Sequence, residues 1–235
     1  GVQTCALPIS RKGFRVDAGS VEAQVLAQLR LIATKVVVVP FDDEALAKLA
    51  ALKPALVFNL TEWIDGDRTR DHEIVEALKR AGHAYTGADA RCLQLCRDKP
   101  CVNRLLARKG VDVPAHFVIL RGARVIRSPL EYPLFVKPAL GDGSDNIGRK
   151  SLVCNARELR ERVRVLRAKG VGDILCEEYV EGRDLFVGLL GKPMRALAPL
   201  ELQIGKLSAR APRFATAALK HKPEYVKRWQ VRYRE

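Results

Sequence analysis

The chain has 235 residues, of which 48% are hydrophobic, enough for one large domain or two modest ones with a sizeable core. No apolar run approaches the ~18 residues of a membrane helix, so we expect no segment to span a bilayer. The formal net charge of +14 would suit a nucleic-acid or polyphosphate partner. Many of the arginines lie beside Glu and Ala on predicted helix faces, as in Arg157–Arg167, which favours a solvated surface instead.

The cysteines do not indicate a zinc site. They form no CxxC pair, and no histidine lies at zinc-like spacing from them. We therefore expect reduced, mostly buried thiols in a cytoplasmic protein. The six cysteines are Cys5, Cys92, Cys96, Cys101, Cys154 and Cys176.

Both ends of the chain are unusual. Residues 1–9, GVQTCALPI, can be written back as GGTGTGCAGACGTGTGCTCTTCCGATC, which resembles a sequencing-library adapter read as codons. We therefore expect residues 1–9 to be non-native and leave them out of the fold, the alternative being a natural strand. Residues 225–235, YVKRWQVRYRE, stop without a Gly, Pro or capping signal, which indicates a fragment boundary.

Helical and strand patterns alternate through the first part of the chain. The predicted elements are a helix over Val21–Leu31, a strand over Val36–Val39, a helix over Asp43–Leu52, a strand over Leu56–Asn59 and a helix over Asp71–Ala81. Gly82 is placed to end the last helix. This alternation predicts a parallel α/β sheet, with Asn59–Asp67 as a cleft loop at the carboxyl end of a strand.

A second module, with a different order of helices and strands, begins near Cys92. Its predicted elements are a helix between the N-cap Asp98 and Gly110, strands over Phe117–Leu120, Leu134–Lys137, Ile174–Tyr179 and Phe186–Leu190, and a helix over residues 156–169 that follows the N-cap Asn155. In the first of these helices we expect Val102, Leu105 and Leu106 to face the core.

The stretch VKPALGDGSDNIG favours a phosphate site. Lys137 ends a short apolar strand, and a lysine there is a point charge suited to phosphate oxygens. The loop that follows contains Gly141, Gly143 and Gly148, which permit the positive φ angles of an anion-binding concavity, and Ser144 adds a hydroxyl. The loop could also close over a triphosphate as a lid. A simple Gly/Asp hairpin is the alternative interpretation.

Two further features point to a nucleotide. Lys99 opens a helix, where the macrodipole already disfavours a cation, so an anionic partner would explain it; a solvated lysine is the alternative. The stretch CEEYVEGRD, Cys176–Asp184, has the character of a linker between two lobes. Its backbone near Glu178–Val180 could read an adenine edge and Asp184 could hold ribose hydroxyls, unless the stretch is only an exposed charged turn.

Together these features resemble the D-alanine–D-alanine ligases and their ATP-grasp relatives. The resemblance runs from about Ala55 to Lys220, and YTGADARCLQLCRDK and FVKPALGDGS carry most of its specificity. It implies an N-terminal Rossmann-like parallel-sheet α/β domain followed by an ATP-grasp α+β domain whose last lobe is incomplete. The implied bounds are residues 10–91 for the first domain, 92–183 for the small ATP-grasp lobe and 184–235 for the start of the large lobe.

The resemblance also implies roles for individual residues. The ATP-binding set is Lys99 and Lys137 for the phosphates, Gly143 and Ser144 for the covering loop, Glu177, Glu178 and Val180 for the adenine hinge, Asp184 for the ribose, and Lys220 as a third ATP-contacting lysine. Glu22 is the candidate for a glutamate that faces the substrate. We expect the amines of Lys99 and Lys137 to face one cavity that holds a triphosphate.

In the family, ATP phosphorylates one substrate's carboxylate and an amine attacks the acyl phosphate, giving a C–N bond. The family's Mg²⁺ ligands, an Asp and a later Glu-x-Asn motif, find no counterpart before residue 235, so we expect this chain to hold no metal ligands and to be inactive by itself. Trp63 stands where family members often have Gly, which leaves the substrate pair open. Small amino-acid-like substrates and a homodimer are implied.

Two other classes of function stay open. Residues 205–235 interleave basic and aromatic side chains, which can track phosphates and stack bases, so a nucleic-acid-binding protein is one alternative. A non-catalytic nucleotide-binding module is the other.

Overall fold

The structure, a computed structural model, describes residues 20–42, 44–62, 64–65, 67–191, 193–205, 214–216, 219 and 222–235, and the backbone of residues 2–7. The chain forms two compact units, Gly1–Arg97 and Asp98–Glu235. Within the described ranges, no helix is both long enough and apolar enough to cross a bilayer.

The described residues form helices and strands in mixed order. The helices are α1 (Val21–Ile32), α2 (Ala45–Leu52), α3 (Asp71–Arg80), α4 (Ala90–Arg97), α5 (Lys99–Arg108), α6 (Ala156–Ala168) and α7 (Pro223–Trp229). The strands are β1 (Val2–Leu7), β2 (Lys35–Pro40), β3 (Leu56–Asn59), β4 (His116–Ile119), β5 (Leu134–Pro138), β6 (Leu152–Val153), β7 (Ile174–Glu178), β8 (Asp184–Phe186), β9 (Leu189–Leu190), β10 (Arg195–Ala196), β11 (Leu200–Ile204) and β12 (Val231–Arg234).

The first unit contains the predicted parallel sheet. Its strand order is β2-β1-β3, with both neighbours parallel to β1. Apolar residues of the strands and of α2 and α3 form its core. In the two helices these residues recur at 3.6-residue spacing, which places them on the face that packs against the sheet. The core residues are Val39, Ala45, Leu49, Val57, Ile74 and Leu78.

Residues 2–7 lie at the centre of this sheet rather than outside the fold. Val2 pairs with Lys35 on one side, and Gln3 pairs with Leu56 on the other. Leaving this segment out of the fold is therefore wrong, since its backbone joins the other two strands into one ladder. Its adapter origin stays a prediction.

The second unit contains an antiparallel sheet of order β4-β7-β5-β6. Alternate residues of its strands point to one face, where α6 covers them. The resulting core consists of Ile119, Leu134, Val136, Val153, Leu159, Val163, Leu166, Ile174 and Cys176. Burial raises the pKa of the Cys176 thiol to about 12.

A second antiparallel sheet of order β12-β11-β8 follows, together with the small β9–β10 hairpin. Its first strand begins at Asp184, the residue at which the large lobe is predicted to start. The predicted strand Phe186–Leu190 is wrong as one element, because the chain leaves β8 after Phe186 and β9 begins only at Leu189.

Several other predictions need correction. Leu105 and Leu106 are 42% and 37% exposed rather than in the core. Among the cysteines whose side chains are described, Cys92, Cys96 and Cys154 are exposed, so the thiols are not mostly buried. The units divide after Arg97, so the whole of α4, an unpredicted helix, lies in the first unit. The predicted domain bounds stay a prediction.

Candidate nucleotide site

The candidate site lies on the face of the β4–β7 sheet that α6 does not cover. Phe135 is paired with Glu177, and Lys137 with Leu175, across β5 and β7. Because directly paired residues project to the same side, these four side chains share one face, opposite Val136 and Cys176 in the core. Because successive side chains of β5 point to opposite faces of the sheet, Lys137 points away from the core, to the face that carries Glu177.

Lys137 is held by a buried carboxylate. Its Nζ lies 2.5 Å from Oε2 of Glu177, and the two side chains are 19% and 9% exposed. Oε1 of Glu177 accepts a hydrogen bond of 3.0 Å from Nδ2 of Asn103 on α5. Nζ of Lys137 also lies 5.6 Å from the centre of the Phe135 ring. Glu177 and the Phe135 ring thus neighbour the Lys137 amine directly, and Asn103 holds Glu177 in place.

Lys99 lies at the base of the glycine loop, residues 139–148. The side chain of Asp98 caps α5 by accepting a 2.9 Å bond from the amide of Cys101. This cap fixes the start of the helix, where the Lys99 amide donates to the carbonyl of Ala139 at 3.2 Å. Its Nζ donates to the carbonyl of Gly141 at 2.6 Å. The lysine is therefore bonded to the loop through both its backbone and its side chain.

The glycine loop turns through a series of left-handed residues. The φ angles are +101° at Gly141, +62° at Gly143, +63° at Ser144 and +58° at Asn146. Amides inside the loop donate to loop carbonyls, from Asp145 to Asp142 at 3.1 Å. The loop encloses a cavity of about 430 Å³, here called the loop cavity, which Lys99, Gly143 and Ser144 help to line. A concavity of this kind can bind an anion through backbone N–H groups.

A second cavity of about 310 Å³, here called the hinge cavity, lies at the end of β7. Its lining residues include Phe135, Glu177, Glu178, Tyr179, Val180, Asp184 and Phe214. Phe135 and Phe214 meet edge to face, with ring centres 4.8 Å apart. The cavity thus combines an aromatic wall with the backbone of the predicted hinge.

Several polar groups of the hinge already have partners. The amide of Glu178 donates to the carbonyl of Ala115 at 2.9 Å, and Oε1 of Glu178 accepts from the amide of Ala115 at 3.0 Å. The amide of Tyr179 donates to the carbonyl of Pro133 at 3.1 Å. Oδ2 of Asp184 accepts a 3.2 Å bond from the amide of Ala215. These bonds fix the backbone that leads to Val180, whose side chain is 64% exposed.

The predicted residues are thus gathered in two cavities of one unit. Lys99, Gly143 and Ser144 line the loop cavity, and Glu177, Glu178, Val180 and Asp184 line the hinge cavity. Lys99 lines the loop cavity and bonds to Gly141, whereas Lys137 pairs with Glu177 of the hinge cavity, so one cavity that both amines face stays a prediction. The ion pair and the loop bond are each short enough to hold these amines in place.

The remaining predicted residues lie elsewhere. Glu22 is in the first turn of α1 in the other unit, where it is half-buried. Lys220 and Trp63 lie outside the described residues. Among the residues that the structure describes, no group of three or more His, Cys, Asp or Glu side chains could hold a metal ion.

Sequence reasoning missed the aromatic wall and the support of Lys137. Phe214 follows a stretch with no regular pattern, so nothing local indicates that it meets Phe135. Asn103 lies on a predicted helix four residues after Lys99, and this spacing places both residues on the same side of α5.

No protein-family model matches the chain. It is 33% identical over 155 residues to the uncharacterized protein y4sG of Sinorhizobium fredii, covering 66% of this chain and 45% of that protein. It is 29% identical over 167 residues to the D-alanine–D-alanine ligase of Aquifex aeolicus, covering 71% of this chain and 55% of the ligase. The chain thus spans about half the length of these relatives.

The fold is similar to that of a solved ligase. The crystal structure of the D-alanine–D-alanine ligase from Bacillus anthracis complexed with ATP superposes with a TM-score of 0.67 at 15% sequence identity. The match covers 89% of this chain and 66% of that one. The likeness therefore concerns the fold of nearly the whole chain.

Proposed function

Because the chain is a D-alanine–D-alanine-ligase-like ATP-grasp protein, we propose that it supplies the nucleotide-binding part of an ATP-dependent carboxylate–amine ligase. The observation that carries the proposal is the cation of Lys137, fixed by buried Glu177 at the strand end from which the glycine loop starts. A fixed amine beside a loop with left-handed residues is suited to neutralising and enclosing phosphate oxygens.

The hinge cavity is the proposed adenine site. Its volume of about 310 Å³ lies at the small end of the ~300–1,000 Å³ usual for ligand pockets, which suits a base rather than a whole nucleotide. Phe135 and Phe214 supply apolar contact area. Since the amides of Glu178 and Tyr179 are already bonded to the protein, the amide of Val180 is the hinge donor proposed to meet the base edge. Asp184, which lines the same cavity, would accept hydrogen bonds from ribose hydroxyls.

The loop cavity is the proposed phosphate site. Lys99 Nζ now bonds to the carbonyl of Gly141, and it would exchange this carbonyl for a phosphate oxygen. The amides of Gly143 and Ser144 would then point at the same phosphate from the covering loop. Lys99 and Lys137 would approach the triphosphate from its two sides.

The chemistry proposed is that of an acyl-phosphate ligase. A carboxylate oxygen of one substrate attacks the γ-phosphorus of ATP, and ADP leaves. The amine of the second substrate then attacks the acyl carbon, loses a proton and displaces inorganic phosphate, which forms the C–N bond. The lysines neutralise charge on the transferred group and hold it in line. Mg²⁺ supplies further neutralisation in such reactions; the described residues offer no fitting cluster, so no ligand is assigned here.

The substrates are proposed to be small and amino-acid-like, in a cytoplasmic and homodimeric enzyme, as the resemblance implies. The comparisons do not support the nucleic-acid alternative. In the described part of its basic segment, Lys222 lies over the ring of Tyr225 at 5.9 Å and Arg228 over that of Trp229 at 5.3 Å. These rings are engaged by neighbouring cations of the same helix region rather than arranged as a row of open stacking faces.

Lys137→Glu tests the proposal. We expect ATP affinity, measured by isothermal titration calorimetry, to fall by more than about 30-fold, because losing a buried charge partner costs ~2–5 kcal/mol. Lys109→Glu is the matched control, since Lys109 is an exposed residue at the end of α5 outside both cavities. Equal ATP affinity in wild type and Lys137→Glu would contradict the proposal. Circular dichroism confirms that each variant is folded.

A further inference from the structure

Arg162 of α6 is a buried cation without a carboxylate partner among the described residues. The residue is 7% exposed, and burial alone lowers the pKa of its guanidinium. Burying a charge is costly unless the group is paired or fully hydrogen-bonded. Its two neighbours on the outer side of α6, Arg160 and Arg164, are exposed. Unlike these two residues, Arg162 adds no charge to the solvent-exposed surface, so solubility does not explain an arginine at this position.

The guanidinium instead binds oxygens at both ends of the glycine loop. Nε and Nη2 donate to the carbonyl of Val136 at 3.4 Å, one residue before Lys137. Nη2 also donates to the carbonyl of Asn146, near the end of the loop. It donates to Oγ of Ser151 at 2.8 Å, in the turn that follows. One side chain thus joins the strand before the loop to the segment after it.

Other bonds reinforce this attachment. Asn146 is left-handed, with φ +58°, and its Oδ1 accepts a 3.2 Å bond from Nζ of Lys169 near the end of α6. Oγ of Ser151 also accepts from the amide of Gly148 at 3.1 Å. For a non-glycine residue this conformation costs free energy, and it persists only where the surrounding structure holds it. The bonds from α6 to both the peptide and the side chain of Asn146 do so.

The Arg162 side chain is separate from the side chains proposed to contact the phosphates. Val136 points into the core beneath α6, whereas Lys137 points to the other face. Arg162 does not line the loop cavity, although Asn146 does. Any influence of Arg162 on a nucleotide must therefore pass through the loop backbone.

We propose that Arg162 is a positioning residue that sets the glycine loop in the conformation that encloses the phosphates of a nucleotide. This inference rests on the proposed function of the loop as a phosphate site. Without the guanidinium, Val136 and Asn146 are no longer joined, and the loop amides lose their common orientation. Binding of the phosphates weakens, while the adenosine part of the ligand, held at the hinge, is unaffected.

Arg162→Met and Arg162→Lys test this role, with Arg164→Met as the control. Arg164 is on the same helix but its side chain is 74% exposed and pairs with Glu161. We expect Arg162→Met to lower ATP affinity about tenfold or more, which corresponds to ~1.4 kcal/mol, with adenosine affinity unchanged. Lysine keeps the charge but cannot reach all three oxygens, so we expect the ATP affinity of Arg162→Lys to lie between those of wild type and Arg162→Met. Arg164→Met leaves both affinities unchanged. Isothermal titration calorimetry measures them.

Equal losses for ATP and adenosine, or no loss for either, would overturn the positioning role. If Arg162→Met does not fold, Lys169→Met and Ser151→Ala are tested in the same way. We expect each to lower ATP affinity by less than Arg162→Met and to leave adenosine affinity unchanged. A wild-type protein that binds neither ligand would refute the proposed function instead. In that case amide hydrogen exchange still decides the inference, since exchange over residues 141–148 must accelerate in Arg162→Lys and not in Arg164→Met.

Discussion

The two antiparallel sheets of the second unit are covered to different extents. In the first sheet, Ile174, Leu175 and Cys176 of β7 are fully buried. In the second, Leu185 and Phe186 of β8 are 53% and 39% exposed. Helix α6 accounts for part of the difference, because its apolar stripe covers the face of the first sheet that carries Ile174 and Cys176, while Leu175 is buried on the opposite face. In the second sheet, Leu202 of β11 is the strand residue that is buried.

This comparison indicates what holds each part of the proposed nucleotide site in place. Lys137 and the start of the glycine loop belong to the buried sheet, so core packing fixes the groups proposed to bind phosphate. Asp184 belongs to the exposed sheet, which is held by its ladder and by the contact of Phe186 with Tyr233 at 5.7 Å between ring centres. We therefore expect substitutions in the first sheet to lower the free energy of unfolding more than comparable substitutions in the second sheet.

The largest difference is expected between two ion pairs. Glu177→Ala leaves half-buried Lys137 without its carboxylate, and breaking a largely buried pair costs up to ~3–5 kcal/mol of unfolding free energy. In the exposed sheet, Arg183 and Glu201 lie 3.9 Å apart with Arg183 72% exposed, so Arg183→Ala should cost less than ~1 kcal/mol. Urea denaturation measures both. Equal costs would mean that the Lys137 pair is solvated and the comparison is wrong.

The next difference concerns apolar side chains. Leu166 of α6 is fully buried over the first sheet, and Leu166→Ala should cost ~2–5 kcal/mol through lost burial and a cavity. Leu185→Ala in the second sheet should stay within ~0.5 kcal/mol, as is usual for exposed positions. The same denaturation curves supply the values. A cost for Leu185→Ala that approaches that for Leu166→Ala would show that the second sheet is more tightly packed than its exposure indicates.

Local patterns predict much of this arrangement. The cap Asp98, the strand Leu56–Asn59 and the position of Lys137 before the loop follow from rules that span a few residues. Helix α4 is missed although Asp89 caps it, with its carboxylate accepting from the amide of Cys92 at 2.8 Å. That signal is present in the sequence, and the absence of a clear apolar stripe after it hides the helix.

The role of Arg162 cannot be read from the sequence. The spacing of α6 places Arg162 beside the apolar residues Leu159, Val163 and Leu166 and leaves Arg164 outside this stripe, so it favours burial of Arg162. The oxygens that its guanidinium binds, among them the carbonyls of Val136 and Asn146, follow only from the tertiary structure. The same holds for Phe214, which meets Phe135 through the folding of distant segments. Such residues are fixed by contacts that have no local sequence pattern.

The smallest difference is expected between the starts of two helices. Asn155 caps α6, and its Oδ1 accepts a 3.0 Å bond from the amide of Glu158, whose carboxylate in turn accepts from the amide of Cys154 at 2.8 Å. Asn155→Ala should therefore cost ~1 kcal/mol. Lys222 precedes α7 without a side-chain cap bond, so Lys222→Ala should change the unfolding free energy little. Denaturation resolves the two, and a cost near zero for Asn155→Ala would mean that core packing, not the cap, sets where α6 begins.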